Sequence, residues 1–400
     1  MAGPTSSTTE PMAYLAPRAT WLAAGATAHV AAGLGQFCAV SSGCVLVAAD
    51  RVLAERGLLD GLLAGLDHRG LQALVVTDFG PELTDAQVDA AAETARESGA
   101  VAVIGLGGGS VLDAAKMIAV LVANDGRSSD WFGVTNPAGG RAGLVLVPTT
   151  TGTGAEVTRI SMILEGGEKR IASSITMVPD LVVLDPELVA GLPPSVTAST
   201  ALDALAHAAE SFMSTASTML TEADAIGAIQ AITANLPAAH AGDAAARGHL
   251  LVAAYRAGLA LNAGVVLGHS LGYAINHERP MAHGATTGLA LAYTIAYNAT
   301  ALPDRKRRQL ARALTAGRSD DLHTAAAAVK DLVALVEHPT SLDEAGIREG
   351  AEPAMARRTV DLYPRPTNPE PMDLPRVEAL LRAMRTGDLA AAFTTSGKER

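Results

Sequence analysis

The sequence predicts an α/β N-terminal domain over residues 1–192 and an all-α C-terminal domain over residues 193–400. Three observations predict it. Four hundred residues exceed what one core usually holds. From about residue 44 to 184, short apolar runs alternate with amphipathic helical stretches, the pattern of a parallel, doubly wound sheet. At Leu192-Pro193-Pro194 the character changes, and beyond it helical segments replace strands.

The first half reads as follows. Cys44–Asp50 is a buried strand ending on an acid, and residues 53–65 form a helix. Leu71–Thr77 is a second strand, followed by a polar helix over 84–98. Val101–Leu106 is a third strand, followed by a helix over 110–123. Leu144–Val147 is stopped by Pro148, and Leu181–Leu184 is closed by Asp185-Pro186. Apolar runs this short, with turn residues at their ends, suit strands buried on both faces. The second half carries helical segments over 199–214, 219–235, 244–276, 285–298 and 303–315, with later helices over 320–336 and 375–386. Tyr363–Pro371 is a proline-rich loop within that half.

Apolar residues are 49% and charged residues 18%, enough for a large core. The net charge of -11 argues against nucleic acid and anionic membranes as partners, since both recruit basic patches. Cys38 and Cys44 are too few for a disulfide framework or a zinc knot, which points to a reducing cytoplasm. The first ten residues are rich in Ser, Thr and Pro and read as a short tail, not a signal. No run of about 18 apolar residues is free of Gly, His or charge, so no transmembrane helix is expected.

Gly107-Gly108-Gly109-Ser110 lies between a strand and a helix. Glycines there let the backbone approach a ligand, and a helix start offers unpaired N–H groups to a pyrophosphate. The alternative is a tight turn with a capping box, because Ser110 and Asp113 have that spacing. A second run, Pro148–Glu156, offers the hydroxyls of Thr149, Thr150, Thr151 and Thr153 after another strand. Asp50 either receives a ribose diol or caps the following helix. Asp203 and His207 are four apart, so a helix presents both on one face. His269 and His283 follow. One carboxylate and three imidazoles suit Fe(II), Zn(II) or a similar divalent ion, which can act as a Lewis acid on an alcohol or carbonyl oxygen. His277 either joins this region or is a solvated helix end.

These motifs together resemble the iron-containing (group III) alcohol dehydrogenases. The resemblance rests on Gly107–Lys116, Pro148–Thr158, Asp203–His207, and His269 followed by His283-Gly284, and it runs from about residue 14 to 386. It implies a Rossmann-like N-terminal domain and a helical C-terminal domain, an architecture shared with the dehydroquinate synthase type. It implies NAD(P) on Gly107, Gly108, Gly109, Ser110 and Asp113 and on Thr149, Thr150 and Thr153, with Lys169 a further contact. It implies a divalent metal, Fe(II) or Zn(II), on Asp203, His207, His269 and His283. The reaction implied is hydride transfer between a nicotinamide and a small alcohol or aldehyde. Asp50, at a cofactor-selecting point, favours NAD(H) over NADP(H).

Two positions depart from the family pattern. Tyr273 stands where many members carry a second histidine four residues after the third ligand, and Ala155 replaces a small hydroxyl residue. Tyr273 and His277 are therefore the candidate proton-transfer groups, since residues 269, 273 and 277 are spaced by four. Two other readings stand beside the dehydrogenase. A sugar-phosphate cyclase of the dehydroquinate synthase type would use a glutamate where Asp203 stands and more basic residues. A non-catalytic nucleotide- or metal-binding scaffold would not need all four ligands. The expected partner is a small-molecule alcohol or aldehyde, in a cytoplasmic protein for which a homodimer is the candidate assembly.

Overall fold

The computed structural model describes residues 12–80 and 82–395. The expected N-terminal tail lies outside the described residues. In chain order the strands are β1 (Ala19–Leu22), β2 (Gly43–Ala49), β3 (Leu71–Val76), β4 (Ala100–Gly107), β5 (Gly133–Val134), β6 (Gly143–Pro148), β7 (Ile160–Glu165), β8 (Glu168–Ser173) and β9 (Leu181–Leu184). The helices of this half are α1 (Val30–Phe37), α2 (Arg51–Glu55), α3 (Asp60–His68), α4 (Asp85–Glu97), α5 (Gly109–Ala123) and α6 (Pro186–Ala190).

Six strands form one parallel sheet in the order β1-β9-β6-β4-β2-β3. Strand periodicity sorts its side chains. Leu46, Ala48, Val103, Leu144 and Leu146 pack with α4 and α5 on one face. Val45, Val47, Ile104, Leu106, Val145 and Val147 pack with α1 and α3 on the other. Both faces are covered, which is why the strands read as continuous apolar runs. The order reverses beside β2: β3 lies on one side of it and β4 on the other. Ligands of such sheets sit in the crevice outside the strand ends at that reversal.

The second half is helical: α7 (Pro194–Met213), α8 (Met219–His240), α9 (Ala244–Ala260), α10 (Leu267–Glu278), α11 (His283–Asn298), α12 (Asp304–Leu314), α13 (Leu322–Leu335), α14 (Glu352–Arg357), α15 (Leu374–Thr386) and α16 (Leu389–Phe393). Its core is built largely from Ala and Leu, and α7 is buried along nearly its whole length. Pro194 starts α7, where a missing N–H costs nothing.

The structure corrects four expectations. The helix expected over 53–65 is two helices, divided at Gly57 with φ 71°. The segment expected over 244–276 is α9 and α10, which meet at 106° across a 3₁₀ turn and Gly264 with φ 72°. The strand β1, only four residues long, was not expected. Nor was the small sheet β5-β8-β7. Its β7–β8 hairpin turns on Gly166 and Gly167, with φ 58° and 86°, a pair suited to the primed turns that match strand twist. Among the described residues no single helix is long and apolar enough to cross a membrane.

Candidate metal centre and cofactor cleft

At the sheet reversal, β2 ends on Asp50 and β4 ends on the glycine loop. The Asp50 N–H donates to the Leu106 carbonyl at 3.2 Å, so these two strand ends stand side by side. The Asp50 carboxylate caps α2 by accepting from the Val52 N–H at 3.3 Å, and it remains at the rim of the crevice. Both readings of Asp50 are therefore geometrically compatible. Helix α5 starts at Gly109, and its first-turn N–H groups have no partner of their own in the helix.

The threonine loop packs against the glycine loop. The Thr149 N–H donates to the Gly107 carbonyl at 3.0 Å. A Cβ on Gly109 would lie 2.8 Å from Thr153 Cγ2, and one on Gly108 would lie 3.4 Å from Thr150 Cγ2. The glycines thus serve close packing of the two loops as well as open backbone. Thr153 Oγ1 accepts from the Ala155 N–H at 3.3 Å. The Thr151 and Thr200 hydroxyls are hydrogen-bonded at 3.0 Å, which ties this loop to α7 three residues before Asp203.

Asp113 and Lys116 have an internal role that their spacing did not reveal. Lys116 is fully buried, ion-paired with Asp113 at 2.8 Å, and donates to the carbonyls of Ala155 and Ile160. The second Asp113 oxygen accepts from the Met162 N–H at 3.0 Å. Burial pushes the Asp113 carboxyl up, against the Lys116 charge. This pair fastens the threonine loop and the hairpin to α5, so Asp113 faces protein groups and Ser110 alone follows the glycines at the loop's end.

The four expected ligands converge. Asp203 Oδ1 lies 3.9 Å from His207 Nε2, 3.8 Å from His269 Nε2 and 3.7 Å from His283 Nε2. Ligand atoms of Asp203, His207 and His269 all fall within 4.8 Å of one another. Atoms held about 2.1 Å from a common ion stand about 3–4 Å apart, which the three Asp203–imidazole distances match. His283 lies outside the tighter group of three. His269 Nε2 is buried, faces the carboxylate and has no hydrogen-bond partner. The His283 side chain is 33% exposed while the other three are nearly buried, so the cluster opens on the His283 side.

Helix geometry explains the convergence. Asp203 and His207 stand one turn apart on α7, His269 begins α10 after the bend, and His283 begins α11. A Cβ on Gly284 would collide with the Ser199 carbonyl, so glycine is what lets α11 reach α7 and bring His283 to Asp203. Around the ligands, Thr287 Oγ1 donates to Asp203 Oδ1 at 3.1 Å. His269 Nδ1 lies 2.7 Å from Glu210 Oε1, and Glu210 Oε2 accepts from the Val266 N–H at 2.8 Å.

Burial raises the Asp203 carboxyl, but the imidazoles of His207, His283 and His269 hold it below its ordinary range. Burial depresses His269 strongly and His283 as well, which favours their neutral, ligating form. Burial also pushes Glu210 up to about 8. Sequence reasoning missed Glu210, although residues 203, 207 and 210 follow the i, i+4, i+7 spacing of one helix face.

Tyr273 stacks on His283, with ring centroids 5.4 Å apart and planes 12° apart, and it also meets Tyr363 at 5.0 Å. It therefore stands at the open side of the cluster. Lys169, on β8, brings its ammonium to 6.0 Å from the Tyr273 ring. His277 is elsewhere: it is exposed, and its Nε2 lies 2.7 Å from Arg358 Nη2. No hydrogen bond joins it to Tyr273 among the described residues. Eight residues along a helix rotate by about 80° and advance about 12 Å, so a spacing of four repeated twice leaves the face.

Comparison with known proteins follows this geometry. Residues 19–186 match the family model described as iron-containing alcohol dehydrogenase, and residues 197–385 match its C-terminal counterpart. The chain belongs to the iron-containing alcohol dehydrogenase family. It is 34% identical over 346 residues to "Probable alcohol dehydrogenase EutG" of Escherichia coli K12, covering 85% of this chain and 87% of that one. It is 31% identical over 349 residues to an NAD-dependent methanol dehydrogenase of Bacillus methanolicus, covering 84% and 90%. A crystal structure of 1,3-propanediol oxidoreductase superposes with a TM-score of 0.86 at 26% identity, covering 94% of this chain and all of the other. Family membership makes this protein an oxidoreductase and implies a divalent metal.

Proposed function

We propose that the protein is an NAD(H)-dependent dehydrogenase that moves a hydride between a nicotinamide and a small alcohol or its aldehyde, using one divalent ion, Fe(II) or Zn(II). The observation that carries this reading is the set of three imidazole Nε2 atoms around Asp203 Oδ1, opening on the His283 side. The bound groups would supply a hydride from the dinucleotide and Lewis acidity from the ion. Asp203, His207, His269 and His283 would hold the ion.

The chain's own residues do the rest. The N–H groups at the start of α5, beside Gly107, Gly108, Gly109 and Ser110, receive a pyrophosphate. Thr149, Thr150 and Thr153 extend that polar wall, with Lys169 at its far end. Asp113 contributes by holding the hairpin that carries Lys169. Tyr273, stacked on His283, offers its phenol to the substrate oxygen. The NAD-dependent relative and the alcohol dehydrogenase relatives favour this reading over a cyclase or a scaffold.

The test is NADH and NADPH oxidation against a panel of short aldehydes. Wild-type protein is expected to prefer NADH, because the Asp50 carboxylate repels a 2′-phosphate. Asp50→Gly is expected to narrow or reverse that preference. Equal kcat/KM for both cofactors in the wild type would remove Asp50 from the selecting role, and no turnover with any aldehyde would overturn the dehydrogenase reading.

A further inference from the structure

Two cations stand beside the open side of the metal cluster, neither in an ion pair with a described carboxylate, and the Arg365 charge also bears on the buried Glu210 carboxyl. The Lys169 ammonium and the Arg365 guanidinium each lie 6.0 Å from the centroid of the Tyr273 ring. Tyr273 is the residue stacked on His283. Neither cation forms an ion pair with any described carboxylate.

Arg365 is held in place. Its Nε donates to Ser270 Oγ at 3.1 Å, and that hydroxyl donates to the Tyr363 carbonyl at 2.6 Å. Ser270 follows the ligand His269, so the guanidinium is fixed to the helix that carries the metal site. The half-buried position of Arg365 takes water from its charge without supplying an acid in return. Two other partly covered arginines are paired: Arg141 with Asp180, and Arg376 with Glu370. Arg247, also without an ion pair, gives its guanidinium N–H groups to the Ala239 and Ala190 carbonyls, whereas Arg365 donates through Nε to Ser270.

We propose that the substrate carries its own carboxylate, at the end of the carbon chain away from the reacting carbonyl or alcohol, and that Arg365, with Lys169 as second cation, receives it. This rests on the dehydrogenase reading above. A guanidinium fork matches a planar carboxylate with two parallel hydrogen bonds, whereas an ammonium acts as a point charge. Arg365 is thus the specificity-determining group. Lys169 also belongs to the expected cofactor wall, so the test is built on Arg365.

The experiment compares ω-oxo acids of two to five carbons with straight-chain aldehydes of the same carbon number. Each is assayed with NADH on the metal-loaded protein, for the wild type, Arg365→Gln and Arg365→Lys. In the wild type, the best oxo acid is expected to exceed its neutral counterpart at least tenfold in kcat/KM. In Arg365→Gln that ratio is expected to fall roughly tenfold or more, mainly through KM, the scale of a lost charge-assisted hydrogen bond. Arg365→Lys is expected to recover part of it. A wild-type ratio near one, or a ratio that survives Arg365→Gln, overturns the proposal. Calorimetric titration with ω-hydroxy acids and matching alkan-1-ols reads the same preference without turnover. A charge preference that depends on Arg365, with no aldehyde reduced, would support the anion site and overturn the dehydrogenase reading. Equal binding of acid and alcohol would overturn the anion site.

Discussion

His269 has its two ring nitrogens in opposite situations. Nδ1 meets the Glu210 carboxyl at 2.7 Å, and Nε2 faces Asp203 with no hydrogen bond. An imidazole whose Nδ1–H donates a hydrogen bond to a carboxyl oxygen keeps its lone pair on Nε2, in the orientation a metal needs. Glu210→Gln keeps the shape but turns one oxygen into an N–H donor. It is expected to lower metal affinity by roughly 10–100-fold, read by competition with a chelator. Wild-type affinity would mean that packing alone orients His269. Tyr273 poses a second question at this scale. Tyr273→Phe keeps the ring on His283 and removes the hydroxyl. It is expected to lower kcat by roughly 10²-fold with metal content unchanged. A variant matching the wild type in kcat and pH profile would reduce Tyr273 to packing.

The elements bring these residues together through close contacts. Helix α11 starts against α7, and the Gly284 backbone touches that of Ser199. Alanine at position 284 would raise helix propensity by at most about 1 kcal/mol. The same Cβ would overlap the Ser199 carbonyl and approach Asp203 Cβ to 3.1 Å, and overpacking of this kind costs about 1–3 kcal/mol. The clash wins, so Gly284→Ala is expected to lower both the melting temperature and the metal content. A variant as stable and as metal-rich as the wild type would show that α11 can shift without losing His283. The bend between α9 and α10 and the hairpin β7–β8 belong to the same scale. Neither was legible in the sequence. Residues 244–276 are rich in Ala and Leu, and Gly264 at the break is one of five glycines in the segment, so nothing in the sequence singles it out. The hairpin's Glu168-Lys169-Arg170 lacks the apolar run that marks a buried strand, although Gly166-Gly167 carried the turn signal.

Over the whole molecule, what was legible follows how local each signal is. The six-stranded sheet was readable apart from the four-residue edge strand β1, because strands buried on both faces leave unbroken apolar runs. The pair Asp203 and His207 was readable because both stand on one helix. The groups that support or extend the site were less so. Glu210 looked like an ordinary helical acid, Lys116 like an ordinary helical base, and Arg365 like part of a proline-rich loop. Each acquires its role only when a distant segment arrives: α10 at Glu210, the hairpin at Lys116, and Ser270 at Arg365. The two halves of the chain also depend on each other. The threonine loop reaches α7 through Thr151 and Thr200, so the cofactor wall and the metal cluster share one helix.

The central claim is that one divalent ion on Asp203, His207, His269 and His283 is required for hydride transfer. The direct measurement removes the metal with a chelator, quantifies it by elemental analysis, and follows NADH oxidation with an aldehyde before and after adding back Fe(II) or Zn(II). Metal content and rate are expected to fall together, to recover together in the wild type, and to fail to recover in His283→Ala. Full activity in a sample shown to be free of metal would contradict the account.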